Sequence, residues 1–349
     1  MKYFDGHNDV LLKLHLKKNI NPVDEFYNGN NFCQIDYPKI IQSNFTGGFF
    51  AIFVPDSDPD DDFFNRMNQK EYDFPLPNPI STEFALDSTM SMVDILKKIE
   101  KNSKNKVEIC TSGNQLHKCM MDNKIGVILH IEGAECIDEN FKNLDKLYNL
   151  GLRSIGLVWS RNNIFASGVP FSFPSSPDRG NGLTELGKQL VKICDDKSIL
   201  IDLSHINLKG FYDVAKYSSK PLIATHSNAH FITNHSRNLT DEQLKIIKLS
   251  NGIVGVNFAT AFLRNDGKML EECSLTNITD HIEYLMKFLG EDNIAIGSDF
   301  DGAVVPKEIK NLAGMINLEN HLYELGYNKE LVEKIFYKNW LNFLKLNLI

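Results

Sequence analysis

Eight short apolar runs recur along this chain, each followed by a stretch with helical periodicity, and that alternation restricts the fold more than any other feature of the sequence. The runs occupy residues 2–6, 48–54, 125–131, 153–159, 198–203, 221–225, 252–258 and 293–298. They are apolar on both faces and rich in β-branched and aromatic residues, as strands of a parallel sheet covered on both sides must be. The connectors carry helix signals. Asp36 stands where it caps a helix over 37–43, a periodic segment covers 82–101, and Thr240 with Gln243 forms a capping box. A striped segment over 276–289 ends at Gly290, the residue type that most often terminates a helix. Strands and helices alternating in this number fit an α/β fold of the (β/α)8, TIM-type barrel class better than an open sheet.

At roughly 150 residues per domain a chain of 349 residues would divide in two. Barrels of this class exceed that size as one unit, so one barrel domain over 1–349 is expected. Two additional C-terminal helices, 316–325 and 328–346, follow the eighth strand, the second striped by Leu331, Ile335, Trp340 and Leu344. Two βα loops are long: 55–81, acidic and proline-bearing, and 160–183, rich in Pro, Ser and Gly. Neither reads as an interdomain linker, because the alternation resumes in step after each.

In such a barrel the C-terminal ends of the strands form the active-site mouth. The first run leads into His7-Asn8-Asp9, the third into His130-Ile131-Glu132, the fifth into Asp202-Leu203-Ser204-His205, the sixth into Thr225-His226, and the eighth into Ser298-Asp299-Phe300-Asp301. Five of eight strands therefore deliver an imidazole or carboxylate to one rim. Histidine with carboxylate is the ligand set of hydrolytic zinc, and a set this large suits two ions. Residues i and i+2 of a strand share a face, so His7 and Asp9 grip one ion together. His205 and His226, from adjacent strands, hold a second, and Glu132 bridges both through its two oxygens. A hydroxide bridging two such ions attacks an amide near neutral pH. Asp299, opposite, takes the proton and passes it to the leaving amine. Each residue also has a plainer reading: a solvated loop carboxylate for Glu132, a helix cap for His205, a turn residue for His226, an acidic turn for Asp299 and Asp301. Their conjunction at the strand ends favours the metal.

Arg237 and Asn238 follow in the loop after the sixth strand. An arginine beside a two-metal mouth suits a substrate carboxylate, which its two-pronged guanidinium matches. An ion pair with Asp241 or Glu242 is an equal reading of the same spacing. His130 faces inward as support or packing, while His15, His117, His281 and His321 lie on helices away from the strand ends, and His230 and His235 lie in the loop after the sixth strand.

Composition closes off other classes. With 42% hydrophobic and 23% charged residues the chain is globular. Its net charge of −8 (37 − 45) argues against a broad nucleic-acid or acidic-membrane surface. No apolar run reaches the ~18 residues of a membrane span, and the amino terminus lacks a signal-peptide layout. Six scattered cysteines without a CxxC pair read as reduced, buried thiols. A cytoplasmic protein is the expectation.

These motifs resemble the membrane (renal) dipeptidase family of zinc-dependent enzymes on amidohydrolase-like barrels. The likeness runs nearly end to end, through DGHNDV, HIEGAE, NGLTELGKQLVKICDDKSILIDLSH, PLIATHSNAHFITNHSRNLTDEQL, NGIVGVNF and DNIAIGSDFDG. It implies a dipeptidase with two Zn2+ per chain, other divalent transition metals being able to fill such sites. It assigns His7 and Asp9 to one ion, His205 and His226 to the other, and Glu132 to both. It also gives Arg237, with its neighbour Asn238, to the dipeptide carboxylate and Asp299 to proton transfer or the free amino group. It further implies acceptance of a D-residue at the carboxyl end, and a homodimer. One departure stands out. Where family members carry a histidine after the fourth strand, this chain has Trp159, which donates one N–H and carries no proton. Trp159 reads as a wall of the substrate pocket, with Arg161 or Asn162 as candidates for the missing role. The rivals are another binuclear amidohydrolase, acting on an N-acyl amino acid, lactone or cyclic amide, and a non-catalytic dipeptide-binding barrel.

Overall fold

All eight apolar runs become strands because each is flanked by turn residues and covered by helices on its outer face. In this computed structural model, which describes residues 1–56 and 62–349, they are β1 (Tyr3–Asn8), β2 (Phe45–Phe53), β3 (Ile125–Glu132), β4 (Leu152–Gly156), β5 (Leu200–Asp202), β6 (Ile223–Ala224), β7 (Ile253–Val256) and β8 (Ile294–Ile296). Consecutive strands pair in parallel from β1 round to β8. The circle closes where Asn8 bridges Phe300, Asp9 N donates to Phe300 O at 2.8 Å and Asp299 N to His7 O at 3.0 Å. Asp5 seals this seam, accepting the Ser298 amide at 2.8 Å and its hydroxyl at 2.7 Å. A short parallel strand, Val107–Ile109, adds to β3 outside the circle, beyond the eight runs expected.

The expected helices form, and their caps explain their limits. Asp36 accepts from Lys39 N at the head of Tyr37–Ser43, and Ser81 from Phe84 N at the head of Thr82–Asn102. The Thr240–Gln243 capping box opens Asp241–Leu249, and Leu275–Leu289 ends at Gly290 with φ 78°. All six cysteines are buried and unpaired. The single C-terminal helix expected over 328–346 is instead Lys329–Glu333, a π-turn over Lys334–Lys338, and Asn339–Asn347. The stripe itself accounts for this. Its spacings are four, five and four, and a five-residue step keeps one face only if the helix widens by a residue.

That step aims Trp340 into the bottom of the barrel. The interior layer is Phe4, Phe49, Ile128, Leu200, Ile223, Ile253 and Ala295, one residue from nearly every strand, packed with Trp340, Phe343 and Leu344. Trp340 Nε1 donates to Ile296 O at 2.8 Å. Gly6 is required here, because a Cβ would stand 2.7 Å from the Trp340 ring and 2.6 Å from Thr225 O. No helix among the described residues is long and apolar enough to cross a membrane.

The two long loops meet over the opposite end. Tyr72–Asp73 and Ser172–Phe173 form a two-stranded antiparallel ribbon. Arg179 clamps Asp73 through both carboxylate oxygens at 3.1 and 2.9 Å. The Tyr72 hydroxyl donates to Gly267 O at 2.6 Å. Met67, Tyr72, Phe171, Phe262 and Met269 make a separate apolar cluster around this ribbon. The acidic run over 56–62 lies outside the described residues except at its two ends.

Candidate metal centre

Strand alternation alone carries Ile128, His130 and Glu132 of β3 into the barrel, one above another. The first strand works differently. Its register against β2 slips between Asp5 and Asn8, so three residues of β1 stand against two of β2. Such a bulge turns consecutive residues the same way. Gly6 faces Trp340, and His7 also faces inward, its ring 3.8 Å from that of His226 and 5.6 Å from that of His130. Asp9 lies beyond the strand, at the N-cap of Val10–Leu16. His7 Nε2 and Asp9 Oδ2 do converge, at 3.3 Å, but through a bulge and a turn rather than the simple alternation expected.

Glu132 occupies the middle. Its Oε2 lies 3.6 Å from His7 Nε2, while its Oε1 lies 2.9 Å from His205 Nε2 and 3.4 Å from His226 Nε2. One carboxylate therefore presents one oxygen to each of two donor groups. His205 Nε2 and His226 Nε2 are 3.1 Å apart, with His205 Nδ1 on Ser160 Oγ at 3.0 Å and His226 Nδ1 on Thr225 Oγ1 at 2.9 Å. Among the described residues, His7, Glu132 and His226 bring donor atoms within 4.8 Å of one another, as do His7, Asp9 and Asp299, and His7, His130 and Asp202. His130 Nδ1 is held by Ser154 Oγ at 2.9 Å.

The residues fit divalent cations. Both ring nitrogens of His7 and Asp9 Oδ1 are buried without a hydrogen-bond partner. Such atoms are costly unless something else satisfies them. Charge is distributed unevenly. Burial pulls His7 down, but the Glu132 and Asp9 charges outweigh it and hold His7 well above its ordinary value. His205 and His226 are pushed well below theirs, by burial first and by Arg237 and His7 besides. Glu132 is pushed up to about 7 by burial. Asp299 is raised for the same reason.

Asp299 lies beyond β8 at φ 60°, a left-handed backbone unusual for a residue with a side chain. Asn257 Nδ2 donates to its Oδ2 at 2.9 Å. Asn257, immediately after β7, is a site residue whose only signal in the sequence is a lone asparagine interrupting the apolar run over 252–258. Arg237 is buried, and burial lowers it to about 10. Its Nη1 donates to Ser204 O, and its Nη2 lies 3.3 Å from both His205 Nε2 and His226 O. Its neighbours are thus the metal-centre histidines, not Asp241 or Glu242; Asp241 instead accepts from the Tyr284 hydroxyl at 3.0 Å. Asn238 is turned away, its Nδ2 donating to Thr233 O and Phe262 O at 2.9 Å each. Neither it nor Arg237 is part of the cavity wall itself, but the Arg237 guanidinium lies 5.3 Å from the ring of Phe262, which is. The same loop holds His230 on Ser175 O at 2.8 Å, and His235 Nδ1 accepts from Arg237 N at 3.0 Å.

Above the cluster lies a cavity of about 560 Å³. Asp9, Glu132, His205, Asp299 and Asp301 form its polar end, and Phe53, Phe74, Trp159, Phe171, Phe262 and Met269 its apolar wall. The 55–81 connection supplies Pro55, Asp56, Phe63, Phe64, Arg66, Phe74, Pro75 and Pro77, so it roofs the mouth. Trp159 packs between Phe53 (4.7 Å) and Phe171 (5.5 Å), its ring 5.8 Å from that of His205. Arg161 is committed elsewhere, donating to Val54 O at 3.1 Å and Asp56 at 2.8 Å, with Glu135 at 3.5 Å. Asp301 lines the cavity but spends both oxygens on the Gln34 and Ile35 amides.

The family model for membrane dipeptidases (peptidase family M19) matches residues 1–346. A metallopeptidase from Rhodobacter sphaeroides, solved with a phosphinate mimic of the dipeptide L-Ala-D-Ala, superposes with a TM-score of 0.97 at 41% identity, covering 99% of each chain. Dipeptidase AC, a metallopeptidase of family M19, gives the same TM-score of 0.97 and 41% identity over 100% of this chain and 99% of its own. A protein of Klebsiella pneumoniae encoded in the pqqA 5′ region, itself uncharacterised, is 43% identical over 260 residues, covering 74% of this chain and 96% of that one.

Proposed function

We propose that this chain, which belongs to the membrane dipeptidase family (peptidase family M19) and is a metallodipeptidase, cleaves dipeptides including those with a D-residue at the carboxyl end, using two zinc ions that share Glu132. The observation that carries the two-ion reading is the split presentation of Glu132, one oxygen toward His7 and the other toward His205 and His226. His7 and Asp9 would hold one ion and His205 and His226 the other. When bound, such a pair supplies Lewis-acid polarisation and a water acidic enough to attack an amide near neutral pH.

The chain's own groups do the rest. Arg237 offers a buried guanidinium beside the histidines, already donating to Ser204 O and His226 O and lying within the field of the Asp299, Glu132 and Asp202 charges, and suited to the carboxylate of a dipeptide. That charge would measure the substrate, because a longer peptide has an amide where the carboxylate must be. Asp299 is anchored at Oδ2 by Asn257, which leaves Oδ1 to accept a proton from the attacking water and return it to the leaving amine. Trp159 closes the apolar wall and limits water around the scissile bond. The Rhodobacter protein's ligand, a mimic of L-Ala-D-Ala, supports the stereochemical part of the proposal.

Amino-acid release from L-Ala–L-Ala and L-Ala–D-Ala by zinc-reconstituted protein, with a chelated aliquot as blank and zinc counted by atomic absorption, tests this reading. Chelator-sensitive release from the L,D substrate at two zinc ions per chain is expected. A loaded protein that releases nothing from either would sink it. A cytoplasmic location, a homodimer and a role in recycling short peptides belong to the same proposal, and cell fractionation with sedimentation analysis checks the first two.

A further inference from the structure

Asp202 ends β5 at the barrel mouth, yet none of the chemistry above uses it. The residue is buried, 4% exposed, and its carboxylate takes four donors. Oδ1 accepts Ser204 N at 3.2 Å, Ser204 Oγ at 2.7 Å and Thr225 N at 2.8 Å, and Oδ2 accepts Thr225 Oγ1 at 2.6 Å. β5 and β6 pair through the single partners Asp202 and Ile223, so this side chain continues the ladder where the backbone has stopped.

Proton counting gives the arrangement a second consequence. A threonine hydroxyl has one hydrogen, and here it is given to Asp202. Ser204 Oγ lies 3.4 Å from Thr225 Oγ1 but gives its own hydrogen to Asp202 Oδ1, so at its contact with His226 Nδ1, at 2.9 Å, Thr225 Oγ1 can only accept. The hydrogen of that contact must sit on Nδ1. The neutral ring then carries its lone pair on Nε2, the atom that faces Glu132 Oε1 at 3.4 Å and His205 Nε2 at 3.1 Å. Ser204 Oγ, having donated to Asp202, likewise accepts the His226 amide at 3.1 Å and holds the residue's backbone. His205 lacks this device: among the described residues its Nδ1 meets Ser160 Oγ alone, with no carboxylate bonded behind that hydroxyl.

We infer that Asp202 is a positioning residue which, through Thr225, fixes His226 in the Nδ1–H tautomer and so makes its Nε2 a ready metal ligand. This inference rests on the reading of His226 as a ligand and concerns the metal-free protein as well as the loaded one. The tautomer of an imidazole is set by the hydrogen bond its other nitrogen makes, and groups behind metal-bound histidines commonly contribute ~10–100-fold in metal affinity.

Histidine-selective ¹⁵N labelling reads the tautomer directly in metal-free protein, with the His226 signals assigned by their loss in His226→Gln. Zinc affinity is measured in parallel by competition with a chelator. Wild type should show Nδ1–H. Thr225→Val, close in shape, should release the tautomer and weaken zinc binding by roughly 10–100-fold, and Thr225→Ser should restore both. Asp202→Asn should go further, because its amide can donate to Thr225 Oγ1 and turn the threonine's proton toward Nδ1, leaving the hydrogen on Nε2. A wild-type Nε2–H ring, or a Thr225→Val protein with unchanged tautomer and unchanged zinc affinity, would overturn the inference. Nδ1–H in wild type and its loss in Thr225→Val support it even if no dipeptide is cleaved, so the two proposals fail separately.

Discussion

The two ends of this barrel are closed by opposite means. At the floor, one residue from nearly every strand meets Trp340, Phe343 and Leu344 in an apolar layer whose polar atom, Trp340 Nε1, has its acceptor. At the mouth, a few ångströms along the same strands, His7, Asp9, Glu132, His205, His226, Arg237 and Asp299 crowd together, with several of their atoms lacking partners. The floor stabilises the fold. The mouth costs stability, and on the proposed function its burial of charge is tolerated because bound metal and substrate would complete it. Substitutions at the two ends should therefore separate stability from activity.

The largest separation is expected at Glu132. On the proposed two-ion reading Glu132→Gln removes a ligand from both ions at once, so kcat/KM should fall on the order of 10⁴-fold or more, the scale of losing one member of a cooperating catalytic unit. The melting temperature of the metal-free protein should hold or rise, because a buried carboxylate has become neutral. Steady-state kinetics with thermal unfolding of the chelated protein decides it; a destabilised variant would make the mouth a structural core after all. The converse is Trp340→Ala at the floor. It should cost about 3–5 kcal/mol in denaturant unfolding while the folded variant keeps its KM. A large rise in KM would mean that the two ends are coupled.

Arg237→Met comes next. Loss of one charge-assisted, two-pronged contact to a carboxylate should lower kcat/KM for dipeptides roughly 10–100-fold, mainly through KM. Dipeptide amides, which lack that carboxylate, should be cleaved equally poorly by both proteins. If the variant discriminates between the two substrates as wild type does, Arg237 does not read the carboxylate.

The same contrast explains what the sequence makes legible. Strands, helix caps and the floor follow from local periodicity, and even the π-turn was latent in the five-residue step from Ile335 to Trp340. The metal centre was legible because strand ends converge by geometry, which brings His7, Glu132, His205 and His226 together from four separate segments. The roof was not. Phe74 and Phe171 sit in loops with no period, Phe63 opens a helix of a single turn, and the ribbon that joins Tyr72–Asp73 to Ser172–Phe173 spans about a hundred residues of chain. Sequence spacing also misdirects at short range. Arg237 stands four residues from Asp241, but a capped helix start intervenes and the guanidinium turns inward to His205 instead. The bulge in β1 was equally hidden, since alternation alone would put Gly6 and His7 on opposite faces.

The smallest effect tests whether the mouth stores cost beyond the metal ligands themselves. Glu135 is buried beside Arg161 at 3.5 Å, and burial still pushes its carboxyl up to about 7 from an ordinary 4.5. Between those two values the folded chain retains a proton that the unfolded chain has released, so this group's contribution to stability declines as pH rises from 4.5 to 7 and is level above that. Glu135→Gln is neutral throughout and lacks the decline, while Arg161 keeps Asp56 as its partner. The variant's melting temperature relative to wild type should therefore climb between pH 5 and 7.5, by something of the order of 2 °C, and then stay flat. Thermal unfolding of chelated protein across that range measures it. A difference that does not change with pH would show that Arg161 already stabilises the charged carboxylate fully, and would confine the cost of the mouth to the residues that meet the metal.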